Sequence, residues 1–115
     1  MVLTASSLCT LFLIPENFKA NFTEIIWSDE SVIDGYPKSK LMAEKAAWEF
    51  QKTIPEAERF DLVTILPGMI QGPSIIPTEG FSTSNVKMLM TGMYPALPNV
   101  RLPIVDVRDV VFAHV

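Results

Sequence analysis

Two segments decide how this chain reads: Tyr36-Pro37-Lys38-Ser39-Lys40-Leu41-Met42-Ala43-Glu44-Lys45-Ala46-Ala47-Trp48 and, further on, Asp61-Leu62-Val63-Thr64-Ile65-Leu66-Pro67-Gly68. The first predicts a helix over 36–53. Leu41, Met42, Ala43, Glu44, Ala46 and Ala47 all favour helix. Pro37 suits the first turn, where a missing N–H costs nothing, and Pro55 stops the run. Asp34 or Tyr36 is the expected cap, and Leu41, Ala47, Trp48 and the flanking alanines are the expected apolar side. The second segment contains a short β-branched run, 62–66, apolar on both faces. Such runs suit a parallel strand covered by helices on both sides. Pro67-Gly68 ends it, and Gly72-Pro73 marks a further turn.

Working outward, Val2-Leu3-Thr4 reads as the end of a buried strand, and 15–35 as loop. A second helix is expected over 83–91, capped by Ser82 or Ser84, with Val86, Leu89, Met90 and Met93 as its apolar face and Gly92 at its end. Met88, Met90 and Met93 read as helix packing. A short strand is expected within 102–107, after which Asp109 reads as the cap of a helix beginning at Val110. His114 reads as a helix residue without a catalytic part. The alternation of strand and helix is the α/β pattern.

Composition limits the remaining choices. At 115 residues the chain is expected to be one domain. A net charge of −4 and a pI near 4.8 argue against nucleic acid or an anionic membrane surface as partner. The one cysteine, Cys9, excludes an internal disulfide framework, and the one histidine, His114, leaves a metal cluster poorly supplied. No stretch is long and apolar enough to span a membrane. Hydrophobic residues are 49% and charged residues 19%, with a mean hydropathy of +0.29, which is apolar for a small free-standing domain. That balance suits a piece of the centre of a larger protein. Residues 1–14 carry no charge. No Lys or Arg precedes their apolar run and no small-residue cleavage site follows it, so a cytoplasmic location is expected, with secretion as the alternative. Only in the secreted case does Asn21-Phe22-Thr23 matter as a glycosylation sequon.

The chemistry concentrates at the start of the first helix. Tyr36 and Lys40 stand four apart, on one helical face. A phenol is a poor proton donor or acceptor near neutrality, and a neighbouring ammonium stabilises its anion. The pair is therefore a candidate general acid/base acting on a carbonyl or hydroxyl oxygen. Ser6 or Ser7, at a strand end, is a candidate to hold the same oxygen. Hydride has to come from a cofactor, because no side chain supplies it.

Taken together, these blocks resemble an internal portion of the extended short-chain dehydrogenases/reductases, in the branch of dihydroflavonol reductase, cinnamoyl-CoA reductase and 3β-hydroxysteroid dehydrogenase. Val2-Leu3-Thr4-Ala5-Ser6-Ser7 resembles the family's strand ending in Thr-Ser-Ser. Phe22-Thr23-Glu24 with Trp27-Ser28 resembles its acidic and Trp-Ser loop. The YPKSK run at 36–40 with AEKAAW at 43–48 resembles its catalytic helix, and LVTILPGMIQGP at 62–73 its strand and turn beside the nicotinamide. Ile104-Val105-Asp106-Val107-Arg108-Asp109-Val110 with Ala113-His114 resembles its later strand and helix start. The resemblance implies that Tyr36 is the catalytic acid/base and that Lys40 assists it and binds the nicotinamide ribose. It implies a third member at the strand end: Ser6 in the ungapped register, Ser7 if the register slips by one. It also implies that Pro67, Gly68, Met69 and Ile70 lie against the nicotinamide. NADP, ahead of NAD, is the implied cofactor, and a small carbonyl or alcohol the implied substrate. A homodimer of the full-length protein is left open by analogy.

The resemblance has a gap. The family begins with a strand, a glycine-rich turn and a helix that hold the pyrophosphate, and none of the five glycines, Gly35, Gly68, Gly72, Gly80 and Gly92, forms that fingerprint. The implied fold is thus a partial doubly wound, Rossmann-like parallel sheet, 1–115 being its central to C-terminal part, truncated at both ends. The alternative is a shortened chain without catalysis that at most binds another protein through exposed apolar faces.

Overall fold

The computed structural model describes residues 1–11, 23, 25–77, 80–96, 99 and 102–115. They form two compact units, Met1–Pro67 and Gly68–Val115. Asn21 and Phe22 of the sequon, Glu24 of the acidic loop block and the end of the apolar 1–14 run lie outside the described residues.

In the first unit, β1 (Val2–Thr4) is followed by α1 (Leu8–Leu11), α2 (Tyr36–Thr53), a single 3₁₀ turn (Glu56–Glu58) and β2 (Val63–Ile65). β1 and β2 run parallel, with Val2 opposite Val63, Leu3 opposite Thr64 and Thr4 opposite Ile65. Parallel neighbours need a crossover, and the helices between them supply it. The ladder continues past both strands: Ala5 N donates to Ile65 O and Ser7 N to Pro67 O, each at 2.9 Å. Ala5, Cys9, Ile33 and Leu41 form the core beside this ladder, with Leu66 packed against them.

The second unit is one β–α–β crossover with a helix appended: β3 (Met69–Gln71), α3 (Phe81–Met90), β4 (Ile104–Asp106) and α4 (Val107–Ala113). β3 and β4 are parallel, in the register Met69–Ile104, Ile70–Val105, Gln71–Asp106. Parallel strand pairs joined through helices make the chain α/β, a partial Rossmann-like fold. Among the described residues no helix is long and apolar enough to cross a membrane.

Several local expectations need correction. α2 spans the expected residues, but neither Asp34 nor Tyr36 caps it; Gly35 takes the cap position without a side-chain hydrogen bond. Its buried residues are Leu41 and Glu44, while Ala43 and Ala46 stay exposed. α3 begins two residues early, at Phe81, behind Gly80 rather than Ser82 or Ser84. Met90 and Met93 are 83% and 67% exposed, so they do not pack among the described residues. Gly92 does stand just past the end of α3, at φ 70°. α4 is capped by Asp106, whose Oδ1 accepts from Arg108 N at 2.8 Å, not by Asp109, which lies in its first turn. An Asp at the true cap satisfies an otherwise orphaned N–H, which Asp109 no longer can. The strands are less covered than expected: Val2 and Val63, paired in register, expose 45% and 52%. α1 and β3 were not anticipated, because four and three residues carry too little periodicity to register.

Candidate active site

The site begins with Gly35. Its φ of 60° and ψ of −129° belong to a conformation that essentially only glycine adopts. Its N–H bonds to Asp34 Oδ1 at 2.7 Å, and its carbonyl accepts from Ser39 N at 3.0 Å, closing the first turn of α2. Tyr36 is thereby the first helical residue and stands 63% exposed. One turn on, Lys40 places Nζ 5.5 Å from the centre of the Tyr36 ring, a cation over an aromatic face. Among the described residues no carboxylate pairs with Lys40.

The strand-end serines lie in the same unit. Ser6 is buried; its Oγ accepts from Leu8 N at 3.3 Å and its carbonyl from Cys9 N at 2.9 Å, so it starts α1. Ser7 is half-buried, and its carbonyl accepts from Thr10 N at 3.0 Å and from Thr10 Oγ1 at 3.1 Å. The Ser7 N–H bond to Pro67 O brings a candidate catalytic residue beside a candidate cofactor contact. The structure thus joins Tyr36 to Lys40 and Ser7 to Pro67, and no hydrogen bond runs from either serine to Tyr36.

Gly68, Met69 and Ile70 belong to the second unit. Met69 N donates to Pro103 O at 2.7 Å, and Met69 and Ile70 are β3 residues, half-buried. A Cβ on Gly68 would collide with the Pro103 carbonyl, so glycine here allows the two backbones to approach.

Three supporting residues were missed by sequence reasoning. Ser28, 3% exposed, donates from N to Cys9 O at 2.6 Å and from Oγ to Leu8 O at 2.8 Å, satisfying carbonyls that a four-residue helix leaves open. Lys45 pairs with Glu30 and lies 5.6 Å from the Trp27 ring centre, fastening the Trp-Ser loop to α2. Glu44 is 3% exposed; its Oε1 accepts a long bond from Trp48 Nε1 at 3.5 Å, and its Oε2 has no partner. Beside it lies the fully buried Cys9, whose thiol is pushed up to about 12 by burial first and then by the Glu44 carboxylate. The available signal for Glu44 was its spacing: four beyond Lys40 and eight beyond Tyr36, on the same face.

No family model matches the chain. It is similar, at 34% identity over 119 residues, to cinnamoyl-CoA reductase 1 of Arabidopsis thaliana, covering 99% of this chain and 33% of that protein. It is 33% identical over 106 residues to a putative uncharacterized oxidoreductase of Saccharomyces cerevisiae (81% and 31%). An NADPH-dependent methylglyoxal reductase of the same yeast is 29% identical over 128 residues (99% and 37%). The chain spans about a third of the length of these curated relatives. With parallel α/β crossovers, a Tyr36–Lys40 pair opening a helix, and such relatives along almost its whole length, the chain belongs to the extended short-chain dehydrogenase/reductase family.

Proposed function

We propose that residues 1–115 carry the catalytic helix of an NAD(P)-dependent oxidoreductase that interconverts a ketone or aldehyde with an alcohol, NADPH being favoured as reductant. The observation that carries this reading is the Tyr36–Lys40 pair: a phenol exposed at the start of α2 with an ammonium over its ring and, among the described residues, no carboxylate paired with that ammonium. The printed names of the relatives, two of them reductases and one of these NADPH-dependent, support it. Residues 1–115 are then part of one NAD(P)-binding, Rossmann-like domain.

In reduction, the Tyr36 hydroxyl gives its proton to the carbonyl oxygen as that oxygen gains charge; in oxidation it takes the proton back. Ser6 or Ser7 donates a second hydrogen bond to the same oxygen. Ser6 Oγ accepts from the α1 backbone at Leu8 N, which leaves its O–H able to donate. Lys40 has three N–H donors and no ion-pair partner among the described residues, which fits the hydroxyls of a nicotinamide ribose. Pro67, Gly68, Met69 and Ile70 offer backbone to the ring. The bound nicotinamide supplies the hydride. The residues present fit the ribose end only: no glycine-rich turn is among them to receive a pyrophosphate, and residues 1–115 alone are expected to be inactive.

The test is carbonyl-dependent consumption of NADPH by the full-length protein, over a panel of small aldehydes and ketones headed by methylglyoxal and with cinnamoyl-CoA included. Lys40→Met is expected to raise the KM for NADPH and to lower kcat together. Unchanged constants for both would remove Lys40 from the site.

A further inference from the structure

We propose that Ser28 is a positioning residue: it holds the far end of α1, the turn that the strand-end serines begin, from a segment that is itself anchored on the helix carrying Tyr36 and Lys40. The catalytic consequence rests on the oxidoreductase reading; the bridge itself rests on hydrogen bonds and an ion pair.

A four-residue helix cannot satisfy its own ends. The beginning of α1 is fixed to the sheet, where Ser7 N donates to Pro67 O at 2.9 Å, and Cys9 N and Thr10 N return to the carbonyls of Ser6 and Ser7. Its end is fixed by Ser28, whose N–H donates to Cys9 O at 2.6 Å and whose hydroxyl donates to Leu8 O at 2.8 Å. Ser28 is 3% exposed, and a hydroxyl buried so far is expensive unless it is bonded. An apolar residue of the same size would fill the space and leave the Leu8 carbonyl without this bond.

The residues on either side of Ser28 are held by one side chain of α2. Glu30 pairs with Lys45, and Lys45 Nζ lies 5.6 Å from the centre of the Trp27 ring. Between them, Asp29 Oδ1 accepts from Ser31 N at 2.8 Å and from Ser31 Oγ at 2.6 Å, a closed turn that stiffens the segment. Lys45 belongs to the same unbroken helix as Tyr36 and Lys40. The serines and the Tyr36–Lys40 pair are thereby referred to one another through residues 27–30, alongside the apolar core that Cys9 and Leu41 share. Apolar packing is non-directional; the two bonds from Ser28 supply the direction. Two donors on one substrate oxygen act together only when each is placed to within about half an ångström.

Hydrogen exchange and kinetics on the full-length protein test the two parts. Ser28→Ala removes the bond to Leu8 O and is expected to speed exchange of the Cys9 and Thr10 amides about tenfold, with the middle of α2 unchanged. Unchanged exchange at those two amides would overturn the bridge. In carbonyl reduction, Ser28→Ala is expected to lower kcat about tenfold with KM for NADPH within about threefold, because Lys40 is untouched. The effect runs through a serine. In whichever of the Ser6→Ala and Ser7→Ala backgrounds is itself impaired, adding Ser28→Ala is therefore expected to cost no more than about a further twofold, a coupling that simple loss of stability does not produce. A further tenfold loss there refutes the positioning role, as does wild-type kcat in Ser28→Ala or in both serine variants. Should Ser28→Ala fail to fold, Lys45→Met breaks the other anchor at a half-buried position. It is expected to speed exchange across Ser28–Val32 and to lower kcat, each about threefold; no change in either contradicts the proposal. If the wild type reduces no carbonyl at all, the oxidoreductase reading falls, while the exchange rates still decide the bridge.

Discussion

Cys9 offers a quantitative check on the packing of the first unit. Its ordinary thiol value of 9.0 is pushed up to about 12, by burial first and then by Glu44. At any pH below both values, the native thiolate fraction is therefore about a thousandfold smaller than in the unfolded chain. Alkylation proceeds through the thiolate, so iodoacetamide at mildly alkaline pH is expected to modify native Cys9 about a thousandfold more slowly than the same protein in denaturant. Full burial adds steric protection in the same direction. Linkage fixes the accompanying stability effect. The native state holds the thiol proton more tightly than the unfolded state, so nothing is lost below pH 9. Stability then declines as pH rises from 9 toward 12. The assay is mass-spectrometric alkylation over time, native against denatured, with Cys9→Ser as the blank. Native and denatured rates within tenfold of one another would refute the burial of Cys9.

Other perturbations act elsewhere. Leu41→Ala empties the fully buried position in a core of four residues and is expected to cost about 2–5 kcal/mol, read from the urea midpoint; an unchanged midpoint would deny that core. Gly68→Ala drives a methyl into the Pro103 carbonyl and is expected to lower the melting temperature and weaken amide protection across β3 and β4, whereas unchanged protection would contradict that approach. Asp106 is held down to about 2 by its hydrogen bonds with the Arg108 side chain and backbone. Its stabilisation of α4 is present above the ordinary carboxylate range and is lost as pH falls toward 2. Asp106→Ala is expected to lower stability at neutral pH and to flatten its decline between the ordinary carboxylate range and pH 2; an unchanged acid decline would contradict the cap.

The legible parts of this fold were those with long period or strong punctuation. Eighteen residues of helix between Gly35 and Pro55 could be read to the residue. The 62–66 run announced β2 because its apolar, β-branched content ends at Pro-Gly. What escaped was short or tertiary. α1 has four residues, and its existence depends on Ser28, twenty positions away, satisfying its carbonyls. β3 lies between two Gly/Pro turns that masked it, and it exists because Met69 N reaches Pro103 O. Capping failed for a different reason: at Asp34, Ser82 and Asp109 a good capping residue lay near the helix start but not at the residue where the backbone turns. Within the site, Tyr36 and Lys40 were legible because helical spacing alone brings them together. Glu44 was not, because a glutamate four beyond a lysine reads as an ordinary solvated pair until its burial is seen.

The most direct measurement is carbonyl-dependent NADPH consumption by the full-length protein with Tyr36 intact and with Tyr36→Phe, which removes one oxygen from an exposed ring. The account expects turnover in the wild type, and a loss of at least about a hundredfold in kcat in the variant with its fold unchanged. A Tyr36→Phe protein that turns over at the wild-type rate would contradict the assignment of this helix as catalytic.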